Sequence, residues 1–329
     1  MIDARPVRWG IVSTADINRK VIPGAHASPH VDLVGVASRS QEAADAYARW
    51  WEIPRAYGSY DALLADPEIE AVYISLPNTL HVEWSITALE AGKHVLCEKP
   101  LSRHPEDVTA AFDAAERAGR LLSEAFMWRH HPQAKRLAEL VREGAIGELR
   151  LVRSAFSYSL YDEANIRLDP ELEGGGLMDV GCYDVSASRY LAGEPQRVWG
   201  EAWYGPTGTD WVLTATMRFP GDVIATFDCG TALTNRDELE AIGSEGSLFL
   251  DDPWHCVEPV IELRRERAVE RIEVERLDPY RLELENLSGA IRGTNELLLG
   301  REDALGQARA LEAIHRSASS GAPVQLRAS

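Results

Sequence analysis

"RWGIVSTADINRKVIPGA", residues 8–25, holds an apolar run that ends at Val12, a short polar turn, and a helical pattern that begins at Asn18. A strand that leads through a tight turn into a helix is the entry to a dinucleotide site when the turn reads G-x-G-x-x-G. Here the three glycine positions hold Ser13, Ala15 and Asn18. Serine and alanine are the next smallest side chains, so the backbone can still come close to a pyrophosphate. The first N–H groups of the helix still favour an anion. Taken alone, the stretch reads equally well as a plain strand–turn–helix.

Working outward, short apolar runs recur at residues 31–37, 71–76, 94–99 and 120–126, with helical patterns at 18–27, 41–51, 60–65, 81–91 and 105–118. Strands buried on both faces and alternating with helices predict a parallel sheet with right-handed crossovers. The second run ends in Ser38, Arg39 and Ser40. An NAD site places a carboxylate near this point, whereas a guanidinium with hydroxyl support suits the 2′-phosphate of NADP. A solvated loop arginine is the alternative. The third run ends in "SLPNTLH", which puts Ser75, Leu76, Pro77, Asn78 and His81 at the edge where open α/β sheets bind ligands. Pro-Asn is also an ordinary way into a helix.

The texture changes at about residue 128. One helical pattern, from His131 to Gly144, precedes long alternating runs at 149–160, 197–205, 210–219, 222–231, 237–251 and 260–277. These predict antiparallel strands with one wet face. Two helical segments, Tyr280–Leu299 and Glu302–Ser319, close the chain. The expected class is α/β, with a Rossmann domain over 1–127 and an α+β domain on one large open sheet over 128–329.

Composition narrows the partners. The 329 residues are 45% hydrophobic, which is enough for a proper core, and the net charge is −18. So acidic a chain repels nucleic acid and anionic lipid. There is neither a secretory apolar stretch nor an apolar window long enough to span a membrane. Cys97, Cys182, Cys229 and Cys256 form no C-x-x-C pair and read as buried thiols in a reducing cytoplasm. His130 and His131 are adjacent, so they point in different directions, and no acidic residue follows at ligand spacing. No metal is expected.

Two segments carry a resemblance. "AGKHVLCEKPLS", residues 91–102, sets Glu98-Lys99-Pro100 directly after a strand, and "GGGLMDVGCYDVSASRYLAGEP" spans residues 174–195. With the opening turn and "VYISLPNTLH", they resemble the Gfo/Idh/MocA oxidoreductases along essentially the whole chain. Tyr183 stands where inositol dehydrogenase-like members carry histidine. That resembles the tyrosine-containing branch of dihydrodiol dehydrogenases, NADP-dependent D-xylose dehydrogenases, nucleotide-sugar 3-ketoreductases and glucose–fructose oxidoreductase.

The resemblance implies NADP as cofactor, with NAD as the alternative, and a sugar, glycoside, polyol or cyclic diol as substrate. It implies a homodimer or homotetramer built through the C-terminal open sheet. Lys99 and Tyr183 become the catalytic pair, with Asp179 sharing the site. Ser13, Thr14, Ala15, Asp16 and Ile17 hold the pyrophosphate. Ser38, Arg39 and Ser40 take the 2′-phosphate. Ser75, Leu76, Pro77, Asn78, His81, Glu98 and Lys99 line the ribose–nicotinamide end, which Trp128 and Arg129 also approach. Asn165 and Arg167 join Lys99, Asp179 and Tyr183 as substrate contacts. On weaker grounds Trp254 and His255 reach the same pocket.

The chemistry suits these residue types. Oxidising an alcohol removes a hydride and a hydroxyl proton. A tyrosine is a poor base at neutral pH unless a nearby ammonium favours its phenolate, and a lysine supplies that charge. Asp179 and Tyr183 are four apart, which on an α-helix puts both on one face. Gly174–Gly176 are expected to let this helix entry pass close to a ligand. Two other readings stay open, a nucleotide-sugar 3-ketoreductase working in the reductive direction and a dinucleotide-sensing regulator without catalysis.

Overall fold

The structure, a computed structural model, describes residues 5–160 and 162–326. Strands and helices alternate from the start: β1 (Val7–Val12), α1 (Asn18–Ala27), β2 (Val31–Ala37), α2 (Gln41–Trp51), β3 (Arg55–Tyr57), α3 (Tyr60–Leu64), β4 (Ala71–Ile74), α4 (His81–Glu90), β5 (His94–Glu98), α5 (Pro105–Ala118) and β6 (Leu122–Ala125). The six strands form one parallel sheet in the order β3-β2-β1-β4-β5-β6. Register places its functional edge. Val12 pairs with Ala37 on one side and Ile74 on the other, and Ile74 pairs with Cys97. The residues that follow, Ser13, Ser38, Ser75 and Glu98, therefore emerge together at the C-terminal ends of the strands.

The later elements are α6 (Pro132–Arg142), β7 (Leu149–Ser159), a π-helical turn over Leu177–Gly181, α7 (Cys182–Ala192), β8 (Arg197–Tyr204), β9 (Asp210–Arg218), β10 (Ile224–Gly230), β11 (Ala232–Gly243), β12 (Ser247–Leu250), β13 (Val260–Arg265) and β14 (Ala268–Glu273). After them come α8 (Pro279–Arg292), α9 (Arg301–Ser320) and β15 (Val324–Gln325). Nine strands form one sheet in the order β14-β13-β12-β11-β7-β10-β9-β8-β15, antiparallel except where β10 meets β7. The expected open, mainly antiparallel sheet is there.

The chain divides into two compact units. One holds the residues through His130 together with Asp278–Leu305, and the other holds His131–Leu277 with Gly306 onward. The expected cut at 127/128 leaves 278–305 with the second domain, whereas these residues pack with the first unit. Leu284 and Leu287 of α8 join Trp9, Ile11, Leu33, Val36 and Tyr73 in its buried core, and Trp9 Nε1 donates to Ser288 Oγ at 3.1 Å. An amphipathic helix is settled by whichever apolar face covers its own, and chain order carries no information about which.

Three local differences follow from backbone chemistry. α8 ends at Arg292 rather than near Leu299, because Gly293 takes φ 70° and its N–H returns to the Ala290 carbonyl. The alternating run over 260–277 is two strands, with Glu266 at φ 49° in the turn between them. The three-residue β3 was not anticipated, being too short to show a period.

Candidate active site

β1 and β4 lie side by side while their other neighbours, β2 and β5, extend the sheet in opposite directions. The crevice beyond such a switch point is where open α/β sheets take ligands. Ser13 stands there with φ 106°, a backbone shape that glycine ordinarily supplies. Its hydroxyl donates to the Ser75 carbonyl at 2.8 Å, lies 2.9 Å from Ser75 Oγ, and accepts the Ala15 N–H at 3.2 Å. Asn18 Nδ2 donates to the Ser13 carbonyl at 3.0 Å. The turn thus keeps the glycine shape and braces it with side chains. Ser75 is buried, so its hydroxyl serves this brace. Thr14, Ala15 and Ile17 are partly exposed, and the exposed Asp16 pairs with Arg19 at 3.0 Å.

At the end of β2, Ser38 is buried and donates its N–H to the Tyr57 carbonyl at 3.0 Å. Ser40 caps α2, its hydroxyl accepting the Ala43 N–H at 3.1 Å. Arg39 is exposed beside Tyr60. No carboxylate holds its guanidinium among the described residues. A dinucleotide with a 2′-phosphate fits this donor set.

The Glu98–Leu101 loop is gripped at each residue. Buried Glu98 accepts the Tyr73 hydroxyl and, at 3.3 Å, the Lys99 N–H. The Pro100 carbonyl lies 2.8 Å from His81 Nδ1, and the Leu101 N–H donates to Glu124 at 2.7 Å. His81 was expected at the nicotinamide end. Instead it is 1% exposed, and its Nε2 lies 2.7 Å from the Leu76 carbonyl, so the ring ties the β4 loop to the Lys99 loop. Burial pushes its pKa down, against the two carbonyls, which favour the charged ring. Pro77 and Asn78 are partly exposed, while Leu76 is buried. Trp128 is buried too, and Arg129 lies over its ring at 5.7 Å and pairs with Asp303 at 3.3 Å.

In the other unit, Asp179 lies in the π-turn and Tyr183 in α7, so the expected single α-helical face is interrupted between them. Asp179 accepts the Tyr158 hydroxyl at 2.5 Å and Arg167 Nε at 3.2 Å. Burial and the Asp179 carboxylate hold the Tyr158 hydroxyl above its ordinary pKa. Tyr158 went unnoticed in the sequence, although alternation along β7 sets it on the same face as Phe156. The side-chain oxygen of Asn165 caps the short turn that follows, accepting the Arg167 N–H at 3.1 Å.

Tyr183 is 6% exposed. Its ring meets Phe156 edge-on at 5.2 Å and Trp254 at 5.8 Å. Asp252 fixes the Trp254 loop by accepting the N–H groups of His255, Cys256, Val257 and Glu258. His255 Nδ1 lies 2.6 Å from Asp237. The three groups Asp237, Asp252 and His255 lie within 4.8 Å of one another, and these bonds give them a structural task.

At the glycines before the π-turn the protein itself leaves no room for a side chain. A Cβ on Gly174 would fall 2.4 Å from the Arg167 carbonyl, one on Gly175 2.0 Å from Asp210 Oδ1, and one on Gly176 2.9 Å from Gly230 Cα. The close approach seen here is that of this chain's own backbone and the side chain of Asp210.

The model of the oxidoreductase family with an NAD-binding Rossmann fold matches residues 7–126, and the GFO/IDH/MocA C-terminal domain matches residues 134–249. The chain is 39% identical to D-xylose 1-dehydrogenase (NADP(+)) 2 of Haloferax volcanii, over 97% of this chain and 99% of that one. Among solved structures it is similar to the aldose-aldose oxidoreductase of Caulobacter crescentus complexed with glycerol, with TM-score 0.91 and 28% identity over 98% and 100% of the two chains. A 3-ketoreductase from Actinomadura kijaniata in complex with NADP and TDP-benzene superposes with TM-score 0.89 and 29% identity, over 95% and 98%.

Proposed function

Because the chain belongs to the Gfo/Idh/MocA oxidoreductase family, we propose that it moves a hydride between NADP and a ring carbon of a sugar, sugar derivative or cyclic diol. What carries the reading is the loop after β5. Of its residues 98–101, Lys99 alone is not buried, and the other three serve to hold it. A lysine braced in this way at the ligand edge of a Rossmann sheet is presented for chemistry.

When bound, the dinucleotide accepts or gives the hydride. The backbone from Ser13 to Ile17 holds its pyrophosphate at the start of α1. Arg39 reads the 2′-phosphate, with Ser38 and Ser40 shaping its loop. Asn78 and Lys99 serve the ribose–nicotinamide end, which Trp128 and Arg129 support from the core. In the oxidative direction Tyr183, as phenolate, takes the hydroxyl proton while the carbon loses its hydride. Lys99 favours that phenolate and holds the substrate oxygen. In the reductive direction the same proton returns to the carbonyl oxygen. Asp179, held by Tyr158 and Arg167, orients a neighbouring hydroxyl, with Asn165 setting the Arg167 loop. Exposed Trp199, Trp203 and Tyr204 on β8 support self-association through the nine-stranded sheet.

The test is turnover of purified protein against free aldoses, keto-sugars and cyclic diols, followed by nicotinamide absorbance with each cofactor. Activity is expected with NADP above NAD. Arg39→Ala should weaken NADP about 10–100-fold, the worth of a charged hydrogen bond, and leave NAD nearly unchanged. Equal losses for both cofactors would remove Arg39 from phosphate recognition. Absence of any dinucleotide binding would end the reading.

A further inference from the structure

The glycine turn is wound round one side chain that the proposed chemistry does not use. Asp210, the first residue of β9, is 8% exposed. Its Oδ2 accepts the N–H of Leu177, the first residue of the π-turn, at 2.7 Å. The Gly176 N–H also favours its carboxylate. Gly175, at φ 117°, leaves room for Oδ1 where a Cβ would stand.

The first N–H groups of a helical segment have no partner inside it and carry the positive end of its dipole. A serine or aspartate at the N-cap ordinarily meets them. Here the N-cap is Gly176, which has no side chain, and the acceptor comes from 33 residues downstream. Burial pushes the Asp210 pKa up to about 7, against the backbone donors that hold it down.

We propose that Asp210 is a positioning residue that sets where Asp179 and Tyr183 stand. It grips the first N–H groups of the Leu177–Gly181 turn. From Leu177 the backbone runs helically through Asp179 into α7 and Tyr183. A slip at the grip therefore moves both side chains, and Tyr183 cannot follow freely because Phe156 and Trp254 hold its ring. The inference rests on the roles proposed above for Asp179 and Tyr183.

The experiment compares Asp210→Ala and Asp210→Asn with wild type in the full chain. It measures kcat and KM on the best substrate found, and amide hydrogen exchange over residues 175–183. Ala should lower kcat about 10–100-fold, the usual effect of a small misplacement, while the KM for NADP stays within about twofold. Asn keeps an oxygen for the Leu177 N–H, so it should recover at least about half of that loss on a logarithmic scale. Exchange at Leu177 should quicken in Ala and less in Asn.

A folded Ala variant with kcat within about twofold of wild type overturns the proposal, and so does an Asn variant as impaired as Ala. If Ala does not fold, Asp210→Leu, which keeps a similar bulk and has no acceptor for the Leu177 N–H, decides. A loss of about threefold or more with faster Leu177 exchange supports the grip, and kcat and exchange equal to wild type refute it. If wild type turns over no substrate, the functional reading has failed, and hydrogen exchange still judges Asp210.

Discussion

At Ser13, after β1, a serine holds φ 106°, while at Gly175, before the π-turn, a glycine holds 117°. The two turns need nearly the same φ and obtain it differently. The first has lost its glycines and keeps their shape, because three hydrogen-bond partners, Ser75, Ala15 and Asn18, over-determine the conformation. The second has kept a run of three and uses the space for the Asp210 carboxylate and for its own carbonyls. A glycine pattern thus reports two separate needs, a dihedral and a volume. Only the dihedral can be met by another residue.

The largest test asks whether the two units act in one reaction. Tyr183→Phe keeps the ring between Phe156 and Trp254 and removes only the hydroxyl. It should lower kcat about 10²–10⁴-fold, the usual worth of a general acid–base group, with dinucleotide affinity nearly unchanged. Lys99→Met should lose a similar amount and weaken substrate binding more. The double variant should lose far less than the product of the two, because groups that act as a unit are not additive. Losses that simply multiply would show that Lys99 and Tyr183 act independently. Near-full activity of Tyr183→Phe would remove the tyrosine from the proton step.

Next in size is Gly175→Ala. The new methyl group carries the cost of positive φ and meets Asp210 Oδ1 at 2.0 Å. A destabilisation of about 2–4 kcal/mol is expected by thermal or denaturant unfolding. Asp210→Asn does not relieve it, since the amide is no smaller. A cost below about 1 kcal/mol would mean that β9 gives way and that the turn is not wound tightly round this side chain.

These turns also mark how far the sequence could be read. The parallel sheet, the open second sheet and the family are legible because strand period and the Glu98-Lys99-Pro100 and Gly174–Gly176 segments are local signals. Lys99 and Tyr183 stood out for the same reason. Asp210, Tyr158 and Glu124 did not, since each acts on a residue at least 21 positions away. The return of α8 to the first unit is non-local in the same sense. His81 was visible as a residue, but its role was not, because a ring that serves two carbonyls looks in sequence like one that serves a ligand.

The carboxylate inside the glycine turn has a pH signature. With a folded pKa of about 7, against about 4 for an exposed aspartate, Asp210 keeps in the folded state a proton that the unfolded chain has released. Stability therefore falls as pH rises from about 4 to about 7 and the contribution levels off above. Asn cannot titrate. The melting temperature of wild type relative to Asp210→Asn should drop by several degrees between about pH 5 and pH 8. Asp184 and Glu283, whose pKa values burial also raises, titrate in both proteins and cancel in the difference. A difference that stays flat over this range would place Asp210 at its ordinary pKa.

The smallest effect sharpens the comparison most. Ser13→Gly relieves a positive φ that costs a serine on the order of 1 kcal/mol or more. It also removes the hydroxyl that bridges Ser75 and the Ala15 N–H, a loss of similar size. The two nearly cancel, so stability should change by less than about 1 kcal/mol. Ser13→Ala keeps the strain and loses the hydroxyl, so it should be the worse variant by about 1–2 kcal/mol. That order, glycine above alanine, is the mark of a turn that has kept the glycine dihedral. At Gly175 no hydroxyl stands in for the missing side chain and an occupied volume adds to the strain, so alanine there should cost more than alanine at Ser13. Were Ser13→Gly the more damaging of the two Ser13 variants, the serine would be holding the turn by its contacts alone, and the dihedral would not be what the first turn preserves.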